Sequence, residues 1–194
     1  MVVLGPPGSG KSTQASRVAG ALHVPHLSSG DLLRREVEAG TPLGRRVEDG
    51  LARGELLPDD LITDFVFHRL TELGADPGFV LDGFPRSVPQ AQAAARWDRS
   101  RNLWFEVVVW LEVARDELVQ RLLERGRSAE RADDTYETIL HRLELDDRIT
   151  EPLKRLYRDV GLLVEVDGSG DLEDVTERIL TTLTEADPAW SQEA

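Results

Sequence analysis

The stretch Gly5-Pro6-Pro7-Gly8-Ser9-Gly10-Lys11-Ser12 decides how this chain is read. It follows a short apolar run, Val2-Val3-Leu4, and opens into helical periodicity over residues 11–22. The pattern fits G-x-x-x-x-G-K-[ST] in the strand, loop and helix setting that its mechanics require. The glycines let the backbone curl so that successive N–H groups and a helix N-terminus point at an anion. Lys11 adds a mobile positive charge, and Ser12 or Thr13 offers a hydroxyl to Mg²⁺. The stretch therefore predicts a nucleoside triphosphate site. A phosphate loop alone leaves switches, motors, transporters and kinases open, so the rest of the chain has to choose among them.

Outward from the loop, apolar runs alternate with helical periodicity. The runs predict strands at 2–4, 25–27, 79–81, 106–111 and 162–166. Helices are predicted at 11–22, 31–39, 42–53, 59–73, 88–96, 115–125, 133–159 and 172–184. Such alternation predicts an α/β fold whose parallel sheet is covered by helices on both faces. Thr41 is placed as an N-cap with Pro42 in the first helical position, and Gly54 where a left-handed C-cap is wanted. Two segments interrupt the alternation, the helices between Ser28 and Leu57 and the arginine-rich turn from Arg125 to Arg131. Both are expected to be flaps mounted on a core.

Composition narrows the function classes. A chain of 194 residues supports one core. It has no cysteine, which excludes disulfides, thiolate zinc sites, iron–sulfur clusters and cysteine nucleophiles. His23, His26, His68 and His141 show no metal-ligand spacing, so no zinc is expected. The formal net charge of −13 and a pI near 4.7 oppose non-specific binding to nucleic acid or anionic membranes. No run reaches the roughly 18 apolar residues of a membrane span, and the N-terminus carries no basic region, so a cytoplasmic location is expected. Lys11 and Lys154 are the only lysines; every other basic side chain is an arginine, whose planar fork holds phosphate bidentately.

Three further segments carry chemistry. His26-Leu27-Ser28-Ser29-Gly30-Asp31-Leu32-Leu33-Arg34 reads as a strand end entering a helix, with Arg34 one turn inside. Gly78-Phe79-Val80-Leu81-Asp82-Gly83-Phe84-Pro85-Arg86 reads as a buried strand ending in an acid, a tight turn and an arginine, with Gln90 four residues on. Arg121, Arg125, Arg131, Asp133-Asp134 and Arg142 bracket a short loop before a long helix. In these segments, and in their order from about Val2 to about Thr184, the chain resembles the nucleoside monophosphate kinases, most closely the short-lid adenylate kinases.

The resemblance implies a phosphate-loop NTPase-type, three-layer α/β fold with a five-stranded parallel sheet. It implies a single kinase domain with its core at 1–27, 58–120 and 135–186, an insertion at 28–57 that binds the nucleoside monophosphate, a short lid at 121–134 and a fraying tail at 187–194. The activity implied is reversible phosphoryl transfer from Mg-ATP to AMP giving two ADP, by a monomer. A pyrimidine monophosphate kinase (UMP, CMP) is the alternative, and a nucleotide-binding regulator without turnover a more distant one.

By the same resemblance ATP is bound by Gly8, Ser9, Gly10, Lys11, Ser12, Thr13, Arg121 and Arg125, with Arg121 on the donor base. AMP is bound by Ser29, Arg34, Leu57, Gly83, Arg86, Gln90, Arg131 and Arg142, with Gln90 reading adenine. Lys11, Arg86, Arg125, Arg131 and Arg142 are the implied catalytic cations. Asp82 holds Mg²⁺ through water, assisted by Ser12 or Thr13. The chain departs from the family pattern at Ser12 (usually glycine), Ser29 (usually threonine), Glu130 (commonly glycine), and Asp146 and Ile149 (more often an aromatic and a glutamine).

Overall fold

The apolar runs pair into one parallel sheet in the order β2-β3-β1-β4-β5, from β1 (Val2–Leu4), β2 (His26–Ser28), β3 (Val80–Asp82), β4 (Val108–Glu112) and β5 (Leu163–Asp167). The computed structural model describes residues 1–53, 55, 57–73, 78–101, 105–127 and 135–186. Among the described residues, eight helices connect and cover the strands: α1 (Lys11–Ala21), α2 (Ser29–Glu38), α3 (Pro42–Arg53), α4 (Asp59–Leu73), α5 (Val88–Arg101), α6 (Arg115–Arg127), α7 (Tyr136–Asp159) and α8 (Leu172–Ala186).

Alternation along each strand feeds two separate cores. Val2, Leu4, Leu81, Val108 and Trp110 pack with side chains of α2, α3, α4, α5 and α7, among them Leu33, Val47, Val66, Ala94 and Leu153. Val3, Val80, Val109 and Leu111 face the other way, onto Val18 and Ala19 of α1 and Val175, Ile179 and Leu183 of α8. Sheet residues buried from both sides explain why these strands read as continuous apolar runs. A third, smaller core joins Leu118 and Leu122 of α6 to Ile139 and Leu143 of α7.

This layering places the site. The chain leaves β1 toward the α1 face and leaves β3 toward the α5 face, and β1 and β3 are neighbours. A crevice therefore opens at their carboxyl ends, where open α/β sheets hold ligands.

The observed elements differ from the expected ones mainly at their ends. β2, β3, β4 and β5 each run one residue past the apolar stretch, to Ser28, Asp82, Glu112 and Asp167. Ladder bonds are made by the backbone whatever the side chain, and Ser28 pairs with Asp82 and Glu112 with Asp167. Helix α2 starts at Ser29 rather than 31, because Ser28 Oγ caps it by accepting from Asp31 N at 3.4 Å. Helix α7 starts at Tyr136 with Thr135 as its N-cap, and α5 continues to Arg101. The expected cap at Gly54 lies outside the described residues.

Thr41 caps α3, its Oγ1 accepting from Gly44 N at 2.9 Å and donating to Glu36 Oε2 at 2.7 Å. The turn packs α3 on the end of α2 so closely that a Cβ at Gly44 would lie 2.0 Å from Glu36 O. Gly44→Ala is therefore expected to destabilise the protein by about 1–3 kcal/mol through overpacking. A melting temperature within one degree of the parent would contradict this account of the α2–α3 contact.

Candidate active site

Gly8 and Gly10 adopt left-handed backbone angles, φ 85° and 83°, and Gly10 is the N-cap of α1. The loop thereby turns the first turn of α1, with its unpaired N–H groups, toward the crevice. Lys11 Nζ donates to the carbonyl of Pro6 at 3.2 Å across the same loop.

One cavity of about 790 Å³ runs from this loop to α2, α3 and α7. Gly8, Gly10, Lys11, Ser12 and Thr13 line it on the loop side, with Arg121 and Arg125 from α6. Ser29, Arg34, Leu57, Gly83, Arg86 and Gln90 line the other side, with Arg142 from α7 and Asp82 between. The structure thus gathers both expected groups in one space. Ser9 stands apart, since its side chain is buried and its Oγ has no partner. Arg131, Glu130, Asp133 and Asp134 lie outside the described residues.

Asp82 is the most elaborately held carboxylate in the cleft. Its Oδ1 accepts from Ser12 Oγ at 2.7 Å and Ser28 Oγ at 3.3 Å, and its Oδ2 lies 2.6 Å from His26 Nε2. A carboxylate offers about four lone-pair sites, so one remains on Oδ2, enough to accept from a cation's water. No group of three or more His, Asp or Glu side chains placed to cage a metal exists among the described residues. A single hard carboxylate beside serine and threonine hydroxyls fits Mg²⁺ that arrives on phosphates and keeps its waters, rather than a resident ion. The Ser12 hydroxyl is committed to Asp82 here, while Thr13 is exposed on the cavity wall.

The arginines divide by partner. Arg34 is paired with Asp31, within its own first helical turns. Arg142 reaches from α7 to the carbonyl of Leu51 on α3, at 3.4 Å. Arg121 donates to Glu117 and, at 3.0 Å, to the carbonyl of Gly168. Arg86 Nε donates to the carbonyl of Gly83 at 2.8 Å, aiming the guanidinium back over the turn that follows β3. Solvent reaches Arg86 through the open cleft, yet protein crowds it closely enough that desolvation lowers its pKa from the ordinary arginine value. Asp146 and Asp82 pull it back up, while Arg34 and Arg142 push it further down. A guanidinium keeps its charge throughout.

Asp146 of α7 lines this cavity and also a small one of about 50 Å³ behind the loop, which it shares with Lys11 and Arg86. Burial pushes its carboxyl up to about 6, against the pull of Lys11 and Arg86; Asp147 adds to the rise and a bond from Thr150 opposes it. Composition and motif reading single out Asp146 only as a departure, because nothing in a helical stretch says that α7 crosses the phosphate loop. His26 and Asp59 carry no motif either. His26 reaches Asp82 only because β2 and β3 pair in register, and Asp59 becomes visible through its bonds to Ser87 and Gln90.

The fold and cleft define a phosphate-loop nucleotide-binding protein with a second cluster of arginines facing the loop. Comparison with known proteins narrows the class. The family model described as adenylate kinase matches residues 3–162. Adenylate kinases of Kocuria rhizophila and Thermobifida fusca are 41% and 42% identical to the chain, each over 94% of it and 97% of their own length. That of Xanthomonas oryzae pv. oryzae is 42% identical over 94% of the chain and 98% of its own. The chain belongs to the adenylate kinase family. Among the described residues, no helix is long and apolar enough to cross a membrane.

The Asp146 carboxyl yields a stability prediction. Its folded value, about 6, lies above its ordinary value of 3.8, so the folded state holds this proton more tightly. The stabilisation is complete below about pH 4 and is lost as pH rises through 6. Asp146→Asn should therefore raise the stability of the nucleotide-free protein at pH 7.5 by on the order of 2 kcal/mol. The gain should vanish toward pH 4 in thermal melts; an equal gain at both pH values would refute the burial of this charge.

Proposed function

We propose that the chain catalyses reversible phosphoryl transfer from Mg-ATP to AMP, giving two ADP. The supporting observation is the single cavity that faces the phosphate loop and Lys11 on one side and Arg34, Arg86 and Arg142 on the other. Two phosphate-bearing substrates would share one space there, as direct transfer between them requires. Membership of the adenylate kinase family supports the choice of ATP and AMP.

The charge problem sets the mechanism. ATP and a monophosphate bring about six negative charges, with terminal phosphates at roughly −1.5 to −2 each. Lys11 and the α1 N-terminus take the donor phosphates, Arg34 and Arg86 the acceptor phosphate, and Arg125, Arg131 and Arg142 the group in flight. Magnesium arriving with ATP would supply further neutralising charge, and Asp82 with Thr13 or Ser12 would hold it. A phosphate oxygen of AMP attacks the γ-phosphorus in line, and the bond from the β,γ-bridging oxygen to that phosphorus breaks. The attacking oxygen is already mostly deprotonated at pH 7, since its second pKa is about 6, so no general base is required. Positioning and fixed positive charge carry the reaction.

Water competes as a nucleophile, so protection should follow binding of both substrates. We assign this to two flaps, 28–57 closing over AMP and 121–134 over ATP. In the open cleft Arg34 and Arg142 are held by Asp31 and the Leu51 carbonyl, contacts that arriving phosphate would exchange for stronger charge-assisted ones. Arg121, Ser29 and the Leu57 backbone then border the two nucleoside sites. The protein is proposed to work as a cytoplasmic monomer, with no nucleic acid or membrane partner.

A coupled ADP assay at fixed Mg-ATP, with AMP, GMP, CMP, UMP and dCMP offered in turn, tests the reading. AMP should be preferred by at least about tenfold, and a pyrimidine preference would overturn the AMP assignment. Arg86→Ala should lower kcat/KM by about 10²–10³, the usual cost of one charge-stabilising donor, and a loss under tenfold would remove Arg86 from the transition state. Hydrogen exchange over 28–57 and 121–134 should slow when a bisubstrate dinucleotide binds; unchanged exchange would refute closure.

A further inference from the structure

The side-chain amide of Gln90, 2% exposed and on the cavity wall, is held at both ends. The backbone N–H of Arg86 donates to Gln90 Oε1 at 2.8 Å, and Gln90 Nε2 donates to Asp59 Oδ1 at 2.7 Å. The same Asp59 oxygen accepts from Ser87 Oγ at 2.8 Å, and Ser87 Oγ accepts from Gln90 N at 3.3 Å. The start of α4, the turn after β3 and the first turn of α5 are thus closed into one ring of hydrogen bonds.

A backbone N–H only donates and a carboxylate only accepts. Turning the amide over would set N–H against N–H at Arg86 and oxygen against oxygen at Asp59. Either mismatch in a buried setting disfavours the turned form by about ten- to a hundredfold. After its two bonds the amide keeps one N–H and one oxygen lone pair for a ligand. Adenine presents an amino donor beside a ring-nitrogen acceptor, which this pair matches as it stands. On its N1 edge a 6-oxopurine reverses this, with a carbonyl oxygen where adenine has its amino group and a ring N–H where adenine has a bare ring nitrogen. It would need the amide turned over.

We infer that Asp59 is a positioning residue for base selection, locking the Gln90 amide so that a 6-aminopurine monophosphate is accepted and a 6-oxopurine monophosphate refused. The inference rests on Gln90 being the contact to the acceptor base. An asparagine at position 59 can accept with its oxygen or donate with its nitrogen, and so removes one of the two locks without changing shape.

The test is kcat/KM for AMP and for IMP at saturating Mg-ATP, in the parent, Asp59→Asn and Gln90→Ala. Asp59→Asn is expected to reduce the AMP/IMP ratio by about tenfold, chiefly through a lower KM for IMP. A purely structural role would lower turnover with both acceptors alike, and an unchanged ratio in Asp59→Asn with a collapsed ratio in Gln90→Ala overturns the inference alone. An unchanged ratio in Gln90→Ala overturns the base-contact reading and the inference with it. One measurement needs no variant: the Gln90 Nε2 proton facing Asp59 should exchange with solvent slowly by NMR in the unliganded parent protein. Exchange as fast as that of an exposed amide would overturn the lock directly.

Discussion

The parallel pairing of β1 with β3 is the constraint on which the site depends. Val2 stands opposite Leu81 and Val3 opposite Asp82, so the acid emerges at the strand end beside the phosphate loop. A slip of one residue would turn Asp82 toward a core face and carry Leu81 into the cleft. Burial forbids that slip, because Leu81 and Val80 are fully enclosed on opposite faces. Hydrophobic packing on two sides thereby sets the position of a carboxylate that takes no part in the packing. The bonds from Ser12 on α1 and from His26 and Ser28 on β2 then hold that carboxylate from two sides.

Charge is sorted between the surface and the cleft. The chain carries a net charge of −13, yet its cleft concentrates Lys11, Arg34, Arg86, Arg121, Arg125 and Arg142. Those cations are partnered while the cleft is open, several through short, local contacts such as Arg34 with Asp31 and Arg121 with Glu117. Exposed pairs of this kind are worth little, so they hold the side chains in place without competing strongly with phosphate. Asp146 is a different case, an acid set among the cations deep in the cleft. It lowers the local positive potential and is itself kept half-neutral near pH 6 by burial. The other lysine, Lys154, pairs with Glu112 and Glu165 and lies over the Trp110 ring, tying α7 to the sheet. The two lysines thus have separate tasks, one in the loop and one in the frame.

Much was legible from the residues in order, for reasons that are local. The phosphate loop, the five apolar runs and the Thr41 cap are short-range patterns whose physics acts within a few residues. Apolar runs end one residue before the strands do because they report burial, whereas pairing is made by backbone groups that Ser28, Asp82, Glu112 and Asp167 carry like any other residue. The acceptor-side roles proposed for Arg34, Arg86 and Gln90 come through resemblance to a family rather than through spacing, since these residues follow no rule that one chain alone displays. Asp59 shows the limit clearly. By position it is an ordinary acid in a helix's first turn, and only the approach of α4 to α5 gives it Ser87 and Gln90 as partners.

By itself the sequence determined the fold class, the phosphate loop and the supply of cationic side chains, because periodicity, glycine placement and charge are written residue by residue. Tertiary structure alone decided which groups meet: His26 with Asp82 across paired strands, Asp146 with Lys11 and Arg86 across the cleft, and Asp59 with Gln90 between helices. Those meetings span gaps of 56, 31 and still more residues, and at such distances only the register of the sheet and the packing of its two faces bring side chains together.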